Sequence, residues 1–201
     1  MTDPRTEQIG SEAARLIQAG RTDDLNRAIH MAADALKLYG APLPGRGRVR
    51  KHAQAMSMQA LGETGYRERR REVWRIAEEI MTAFELALPE ATTLLVGRAA
   101  LGQIDAGVTI HIRIYADEPS QCIASILDEF GYEALLHSTA DARVGRLNQI
   151  AFEEDGIKVV ITRCLLSMWA DRDRDVFTDK PVETAGLSEL RQTLAFDEPQ
   201  E

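Results

Sequence analysis

The chain has 201 residues, a formal net charge of −8, 44% hydrophobic residues and 28% charged residues. This balance is typical of a globular protein with one large or two small domains, and it excludes an intrinsically disordered chain. No apolar stretch approaches the ~18 residues of a membrane span, and the N-terminal sequence has no signal-peptide core, so we expect a cytoplasmic protein without a membrane partner.

The N-terminal part of the chain predicts two amphipathic helices joined by a short turn. The dipeptide Asp3-Pro4 is a typical helix start, with an N-cap acid before proline. Apolar residues recur at helical spacing up to Gly20, where a glycine commonly ends a helix. The same period resumes at Thr22 or Asp23 and lasts to Gly40. The pair predicts an antiparallel helical hairpin.

Two further helices are predicted after a loop. Residues 41–47 contain two prolines and two glycines, which are typical of irregular structure. Apolar residues at helical spacing then predict a third helix that ends near Gly62 and a fourth over residues 66–88. Pro89 stops the fourth helix, because the residue before a proline avoids the helical conformation.

From residue 92 the pattern becomes that of a β-sheet. The sequence TTLLVG predicts a short buried strand that ends in glycine. Residues 108–115, VTIHIRIY, alternate strictly between apolar and polar side chains, which predicts a strand with one apolar and one polar face. The elements expected next are a helix over residues 117–130, a strand over residues 133–137, a hairpin at Asp155-Gly156, an irregular charged segment over residues 170–181 and a helix over residues 187–196.

These elements predict an α/β (α+β) protein with two domains. Residues 1–88 form a helical bundle, and residues 89–201 form a mixed-sheet domain. The charge distribution supports this boundary, because residues 1–88 carry 14 basic and 12 acidic residues whereas residues 89–201 carry 10 and 20.

The segment LVGRAALG (residues 95–102), with the strand that follows it, resembles the signature of the nucleotidyltransferase superfamily. That family has a strand ending in Gly-Ser, a second glycine five residues later, and a strand with two acids two residues apart. Gly97 and Gly102 match the two glycines, and Thr109 and His111 stand at the positions of the two acids. Arg98 stands where the family has serine.

The resemblance implies a site without its metal. In the family the first glycine lets the backbone approach a triphosphate, and the two acids on one strand face hold Mg²⁺. A threonine and a histidine cannot replace two carboxylates, and residues 157–161 offer no third acid. The resemblance therefore implies a catalytically degenerate protein that binds a nucleotide or another phosphate-bearing ligand without a metal or other cofactor, and that is not an enzyme.

Basic side chains would supply the positive charge that the metal supplies in the family, since a guanidinium matches the geometry of a phosphate. The predicted ligand-binding residues are Gly97, Arg98, Gly102, Thr109, His111 and Arg113.

Other interpretations of the same residues stay open. The two glycines can be simple turn glycines, and the polar residues of residues 108–115 can be the solvated face of a strand. An active metal-dependent nucleotidyltransferase would need acids from elsewhere, and the candidates are Asp105 and the run Asp171, Asp173 and Asp175. A third hypothesis is a non-catalytic module that binds a protein, a nucleic acid or a second copy of the chain.

Residues 46–75 are strongly basic, with nine basic and three acidic residues. This segment is a candidate surface for a protein or nucleic-acid partner. The alternative is a solvated helix face with ion pairs between successive turns. The basic residues proposed for this surface are Arg46, Arg48, Arg50, Lys51, Arg67, Arg70 and Arg71.

The cysteines and histidines predict no metal site. The two cysteines, Cys122 and Cys164, lie in apolar stretches and are expected to be reduced and buried. The four histidines have no cysteine or histidine partner at the spacing of a zinc site.

Overall fold

The computed structural model describes residues 3–22, 24–105 and 107–197. It divides the chain into two compact units. The first, called the helical unit, extends to residue 68 and includes residues 104–107, and the second, called the sheet unit, contains residues 69–103 and the chain from residue 108. The predicted domains 1–88 and 89–201 stay a prediction. In the described chain, no helix combines the length and the apolar character needed to cross a membrane.

The helical unit begins with two capped helices. Helix α1 spans Pro4–Gln18, and the Asp3 carboxylate accepts a hydrogen bond from the Arg5 N–H at 2.9 Å. Helix α2 spans Leu25–Ala35, and Asp24 is its N-cap. Asp23, predicted as one start of this helix, lies outside the described residues.

The predicted end of α2 at Gly40 is wrong by five residues. Leu36 is the C-cap, and Lys37 follows with a φ of 55°, in the left-handed region that ends helices. The apolar residues that continue the helical spacing in the sequence after this point therefore lie in the loop that follows α2. The buried residues of the two helices, together with Val49 and Ala53, form one apolar core.

Helix α3 spans Arg46–Ala87 and contains a break at Gly62, whose φ of 67° and ψ of 177° are not helical. The sequence predicted that a helix ends near Gly62. The structure confirms an interruption there, as a break within one long helix. The Gln54 side-chain amide donates to the Tyr66 hydroxyl at 3.2 Å. In an unbroken helix these residues would be about 18 Å apart along the axis. The chain therefore bends at Gly62.

The sheet unit contains a six-stranded sheet of order β3-β4-β5-β2-β1-β6. Strands β2 and β5 are parallel, and all other neighbours are antiparallel. The strands are β1 (Thr92–Val96), β2 (Thr109–Tyr115), β3 (Leu136–Ala142), β4 (Gly145–Glu154), β5 (Ile157–Cys164) and β6 (Thr184–Gly186). Two helices, α4 (Ser120–Glu129) and α5 (Leu187–Phe196), and a 3₁₀ helix (Leu166–Asp171) complete the unit.

This architecture confirms the predicted α+β fold, with two differences in its strands. The strand expected over residues 133–137 lies at Leu136–Ala142, because a turn with Ala134 at a φ of 55° occupies the earlier residues. Strand β6 was not predicted, since three residues are too few to show a period. The hairpin at Asp155-Gly156 is confirmed.

The alternation predicted for β2 separates two faces of the sheet. On the apolar face, Ile110, Ile112 and Ile114 have no solvent exposure. The C-terminal part of α3 contacts this face at β1, where the Glu85 carboxylate accepts a hydrogen bond from the buried Thr93 hydroxyl at 2.7 Å. The opposite face, called the polar face, carries the polar residues of β2, and it is the face on which the predicted site lies.

Candidate functional site

The turn between β1 and β2 starts at Gly97, whose φ of 77° is in the region that favours glycine. Its N–H donates to the carbonyl oxygen of Glu183 at 2.8 Å, so this group joins the turn to the chain before β6. The N–H groups of Leu101 and Gly102 bond back to the carbonyls of Arg98 and Ala99. The segment between the two predicted glycines is thus one compact, internally bonded turn.

Gly102 closes that turn against the C-terminal part of α3. A Cβ atom at this position would lie 2.8 Å from the Arg70 Cδ and 2.8 Å from the Trp74 Cζ2. The indole N–H of Trp74 donates to the buried carbonyl of Ala99 at 2.8 Å. Gly102 is therefore required by close packing as well as by its φ of 65°. Both glycines therefore have structural roles in the turn. A purely structural role was one of the two interpretations that the sequence allowed.

The two residues at the acid positions lie at the open end of the polar face. Thr109 is half-buried and His111 is exposed. The register places His111 beside Val96, the residue before Gly97, and on its other side beside Val160 of β5. The structure thus brings the turn and the two motif positions together.

Lys158 joins this group, although it belongs to none of the sequence motifs described above. It is exposed and lies beside Thr109 in the parallel pair of β2 and β5, so both side chains project from the polar face. Glu153 of β4 lies directly opposite Lys158 on the same face. The pairing of β2 with β5 joins strands that are distant in the sequence, and no local pattern predicts it.

Arg113, the third predicted cation, is only 3% exposed. Its Nη1 donates to the carbonyl oxygens of Arg174 at 2.8 Å and Arg172 at 3.1 Å. These carbonyls belong to residues 165–182, a segment called the strap. Arg113 therefore holds the strap on the polar face instead of pointing towards open solvent.

The strap covers the polar face at the C-terminal end of β2. The Trp169 ring meets the Tyr115 ring edge-on, with 5.0 Å between centroids. Burial raises the pKa of the Tyr115 hydroxyl, and it raises the pKa of the neighbouring Cys164 thiol to about 11. Cys164 is buried as predicted, whereas Cys122 is half-buried, so the prediction that it is buried is wrong; neither cysteine is in a disulfide.

A small cleft opens between the strap and the β3–β4 turn. It is lined by Tyr115, Arg143, Met168, Asp171, Arg174 and Val176, among others. The charges around it pair with one another, since Asp179 contacts Arg143 at 3.1 Å and Arg174 at 2.9 Å. The positive and negative side chains around this cleft at the edge of the strap therefore neutralise one another.

The acids proposed for a metal-dependent enzyme do not form a ligand group. Asp105 is buried, and its Oδ1 accepts from the Gly107 N–H at 3.1 Å. The Oδ1 of Asp175 accepts from the Phe177 and Thr178 N–H groups within the strap. Within residues 3–22, 24–105 and 107–197, no three His, Cys, Asp or Glu side chains are arranged to hold a metal ion.

The basic residues of α3 fall into both units. Arg46, Arg48, Arg50, Lys51 and Arg67 belong to the helical unit, and Arg70 and Arg71 belong to the sheet unit. Several of these side chains have partners. Arg48 and His52 contact the Glu7 carboxylate, the Arg46 Nε donates to the Asn26 amide oxygen, and Arg70 pairs with Asp197 and lies over the Trp74 ring.

The Arg70 contacts are structural, since they join α3 to the β1–β2 turn and to the end of α5. An ion pair between Arg69 and Glu72, three residues apart, matches the alternative of a solvated helix face. The role of this segment as a partner surface stays a prediction.

Comparison with known proteins gives a weak likeness to two solved structures. No protein-family model matches the chain, and no curated protein matches it. The polymerase core of TRAMP, an RNA surveillance complex, is 19% identical with a TM-score of 0.37, over 47% of this chain and 30% of that chain. The GLD-2/RNP-8 complex is 16% identical with a TM-score of 0.37, over 53% of this chain and 39% of that chain.

Both likenesses are weak, because the identities are below 20% and the TM-scores are 0.37, and they carry no argument about the family of this chain. This chain spans less than half of the length of either. The likeness concerns the fold alone, and the function of this chain has to come from its own residues.

Proposed function

We propose that this chain is a nucleotidyltransferase-like protein that binds a nucleotide or another phosphate-bearing ligand without a metal ion and without catalysis. The observation that carries the proposal is the row of side chains at the open end of the polar face. The positions of the family's acids hold Thr109 and His111, and the neighbouring position on β5 holds Lys158. These three residues supply a hydroxyl, an imidazole and an ammonium group, and the neighbouring carboxylate is that of Glu153, opposite Lys158.

The chemistry of this row favours an anion over a cation. Mg²⁺ requires oxygen ligands, of which carboxylates are the principal ones in proteins. The Lys158 ammonium repels a cation, and both the ammonium and an imidazole N–H can donate hydrogen bonds to phosphate oxygens. Arg98, which is half-buried in the turn after β1, adds a guanidinium two residues after Val96, the residue that pairs with His111. The proposed ligand contacts are therefore Arg98, Thr109, His111 and Lys158.

Gly97, Gly102 and Arg113 act indirectly in this proposal. The glycines shape the turn that carries Arg98. The Arg113 guanidinium holds the strap through two carbonyl oxygens, so we assign it a positioning role instead of a ligand contact. The strap closes one end of the polar face and leaves the end with His111 open.

The test is a calorimetric titration of the full chain with ATP and the other nucleoside triphosphates, each with Mg²⁺ and with EDTA. Binding that survives EDTA supports the proposal. Binding or turnover that requires Mg²⁺ overturns it in favour of a metal-dependent enzyme. The lack of binding in both conditions also overturns it and favours the interaction module.

Variants locate the site. Arg98→Ala and Lys158→Ala should each abolish or strongly weaken binding, whereas Glu153→Gln should strengthen it because it removes the carboxylate opposite Lys158. Arg146→Ala is the matched control, since Arg146 is an exposed arginine of the same sheet that forms an ion pair with Asp141 on β3. Equal affinity in all four variants would place the ligand elsewhere.

A further inference from the structure

Strand β3 forms one edge of the sheet and has features of a strand that pairs with another chain. It is seven residues long, whereas the opposite edge strand, β6, has three. Five of its residues are exposed, and Leu136 is 69% exposed. Proteins commonly protect such edges with lysine, proline or a bulge, and the sequence LHSTADA has no lysine or proline and pairs with β4 without a bulge.

The hairpin geometry shows which backbone groups of β3 point outwards. Ala142 pairs with Gly145 across a two-residue loop, so these two residues exchange both of their hydrogen bonds. The alternation then directs the backbone groups of residues 136, 138 and 140 towards β4. The N–H and C=O groups of His137, Thr139 and Asp141 point away from it.

These outward backbone groups are available to pair with another strand from residue 137 to residue 141. No hydrogen bond joins them to any other backbone or side-chain group in the part of the chain that the structure describes. The stretch ends at Arg143, whose N–H donates to the carbonyl oxygen of Val176 at 3.0 Å. A pairing strand can therefore use the outward groups of His137, Thr139 and Asp141 before it meets the strap.

We propose that the occupant of this edge is β3 of a second copy of the chain, paired antiparallel about a two-fold axis at Thr139. With this centre, His137 of one copy pairs with Asp141 of the other, and Thr139 pairs with Thr139. It is the symmetric register in which all three outward residues of each copy pair with one another, through two hydrogen bonds per pair. The two sheets become one continuous sheet through the dimer.

The side chains complement one another in this register. His137 lies opposite Asp141 twice, so an imidazole faces a carboxylate at both ends of the contact. The two Thr139 side chains lie opposite each other, and threonine pairs of this kind are favourable between strands. On the other face, the exposed Leu136 lies opposite Ala142 of the second copy. A strand of unrelated sequence would not reproduce these pairs, which favours a second copy as the occupant.

The test is the sedimentation behaviour of the full chain over a range of concentrations, and it is independent of any ligand at the polar face. We expect a reversible dimer with twice the chain mass of 22.3 kDa. Thr139→Pro removes one outward N–H from each copy while the bonds from β3 to β4 stay, and it should raise the dimer Kd roughly 5- to 150-fold. Thr139→Val keeps the N–H and loses only the threonine side-chain pair, so as the matched control it should raise the dimer Kd no more than about 5-fold.

A charge exchange tests the register. His137→Asp places two acids opposite each other at both ends and should raise the dimer Kd roughly 2- to 30-fold. Adding Asp141→His to that variant restores opposite partners and should restore the dimer. Circular dichroism of each variant confirms that the monomer is folded. A wild-type chain that stays monomeric, or a dimer that survives Thr139→Pro, would overturn the proposal.

Discussion

The buried guanidinium of Arg113 donates to the carbonyl oxygen of Arg174 at 2.8 Å. Arg113, on the polar face of β2, thus holds the strap, which follows β5 in the sequence. The neighbouring polar position, His111, is exposed. The polar face of β2 is therefore divided into an end that the strap buries and an end that is exposed to solvent.

We predict that Arg113→Met destabilises the protein by about 2–3 kcal/mol. The variant removes the charged donor and leaves the carbonyls of Arg172 and Arg174 without it, and hydrogen bonds to charged groups contribute about 1.5–3 kcal/mol. Urea unfolding followed by circular dichroism measures the change. Arg146→Met is the control, because the side chain of Arg146 is 71% exposed and its loss should change stability little. Equal stability of both variants would show that Arg113 does not hold the strap.

A pair of glycine variants separates conformational cost from packing cost in the β1–β2 turn. Gly97→Ala should cost about 1–2 kcal/mol, because its φ of 77° is left-handed and no atom lies within 4 Å of the added Cβ. Gly102→Ala has a similar φ cost and also forces the Cβ against Arg70 and Trp74, so it should cost about 1–3 kcal/mol more. Thermal unfolding of the two variants provides the comparison. If Gly102→Ala were no worse than Gly97→Ala, the close approach of Trp74 would be wrong.

Local signals were sufficient to predict most elements of this fold. The strict alternation in VTIHIRIY gave both faces of β2, since successive side chains of a strand point in opposite directions. Gly62 marked the break in α3, and Asp155-Gly156 marked the β4–β5 hairpin. These features depend on the conformation of a few consecutive residues, which is why a single sequence reveals them.

The arrangement of the site depended on contacts that are distant in the sequence. Lys158 reaches Thr109 only because β5 pairs in parallel with β2, across an interval that contains α4 and two other strands. The alternation assigned Arg113 to the polar face but could not show that the strap would bury it. The sequence thus predicted which face of β2 carries the proposed site, but not which of its basic side chains are exposed.

Cys164 gives the stability a specific dependence on alkaline pH. Burial raises the pKa of its thiol from 9.0 to about 11. Between these values the unfolded chain loses the proton and the folded chain keeps it, so the contribution to stability is complete below pH 9 and is lost as the pH rises to 11. The free energy of unfolding should fall by about 1.4 kcal/mol per pH unit in this window from this group.

Urea unfolding of wild type and Cys164→Ala at pH 8, 9, 10 and 11 isolates this contribution. The alanine variant should show a shallower fall between pH 9 and 11, because the remaining titrating groups, including Tyr132, are common to both proteins. Comparison of slopes removes the constant cost of the smaller side chain. Parallel pH profiles in the two proteins would mean that the Cys164 thiol is not buried as described.

The break in α3 predicts opposite effects for two glycines that are three residues apart. Gly62, with its φ of 67° and ψ of 177°, occupies a conformation that is essentially limited to glycine, so Gly62→Ala should destabilise the protein by about 1–3 kcal/mol. Gly65 has no positive φ and lies in the helix, where its Cβ would make an ordinary contact 3.4 Å from that of Leu61. Gly65→Ala should therefore stabilise the protein by about 0.5–1 kcal/mol. Thermal and urea unfolding measure both variants. A stabilising Gly62→Ala would show that α3 continues straight through residue 62, and the hydrogen bond between Gln54 and Tyr66 would then be impossible.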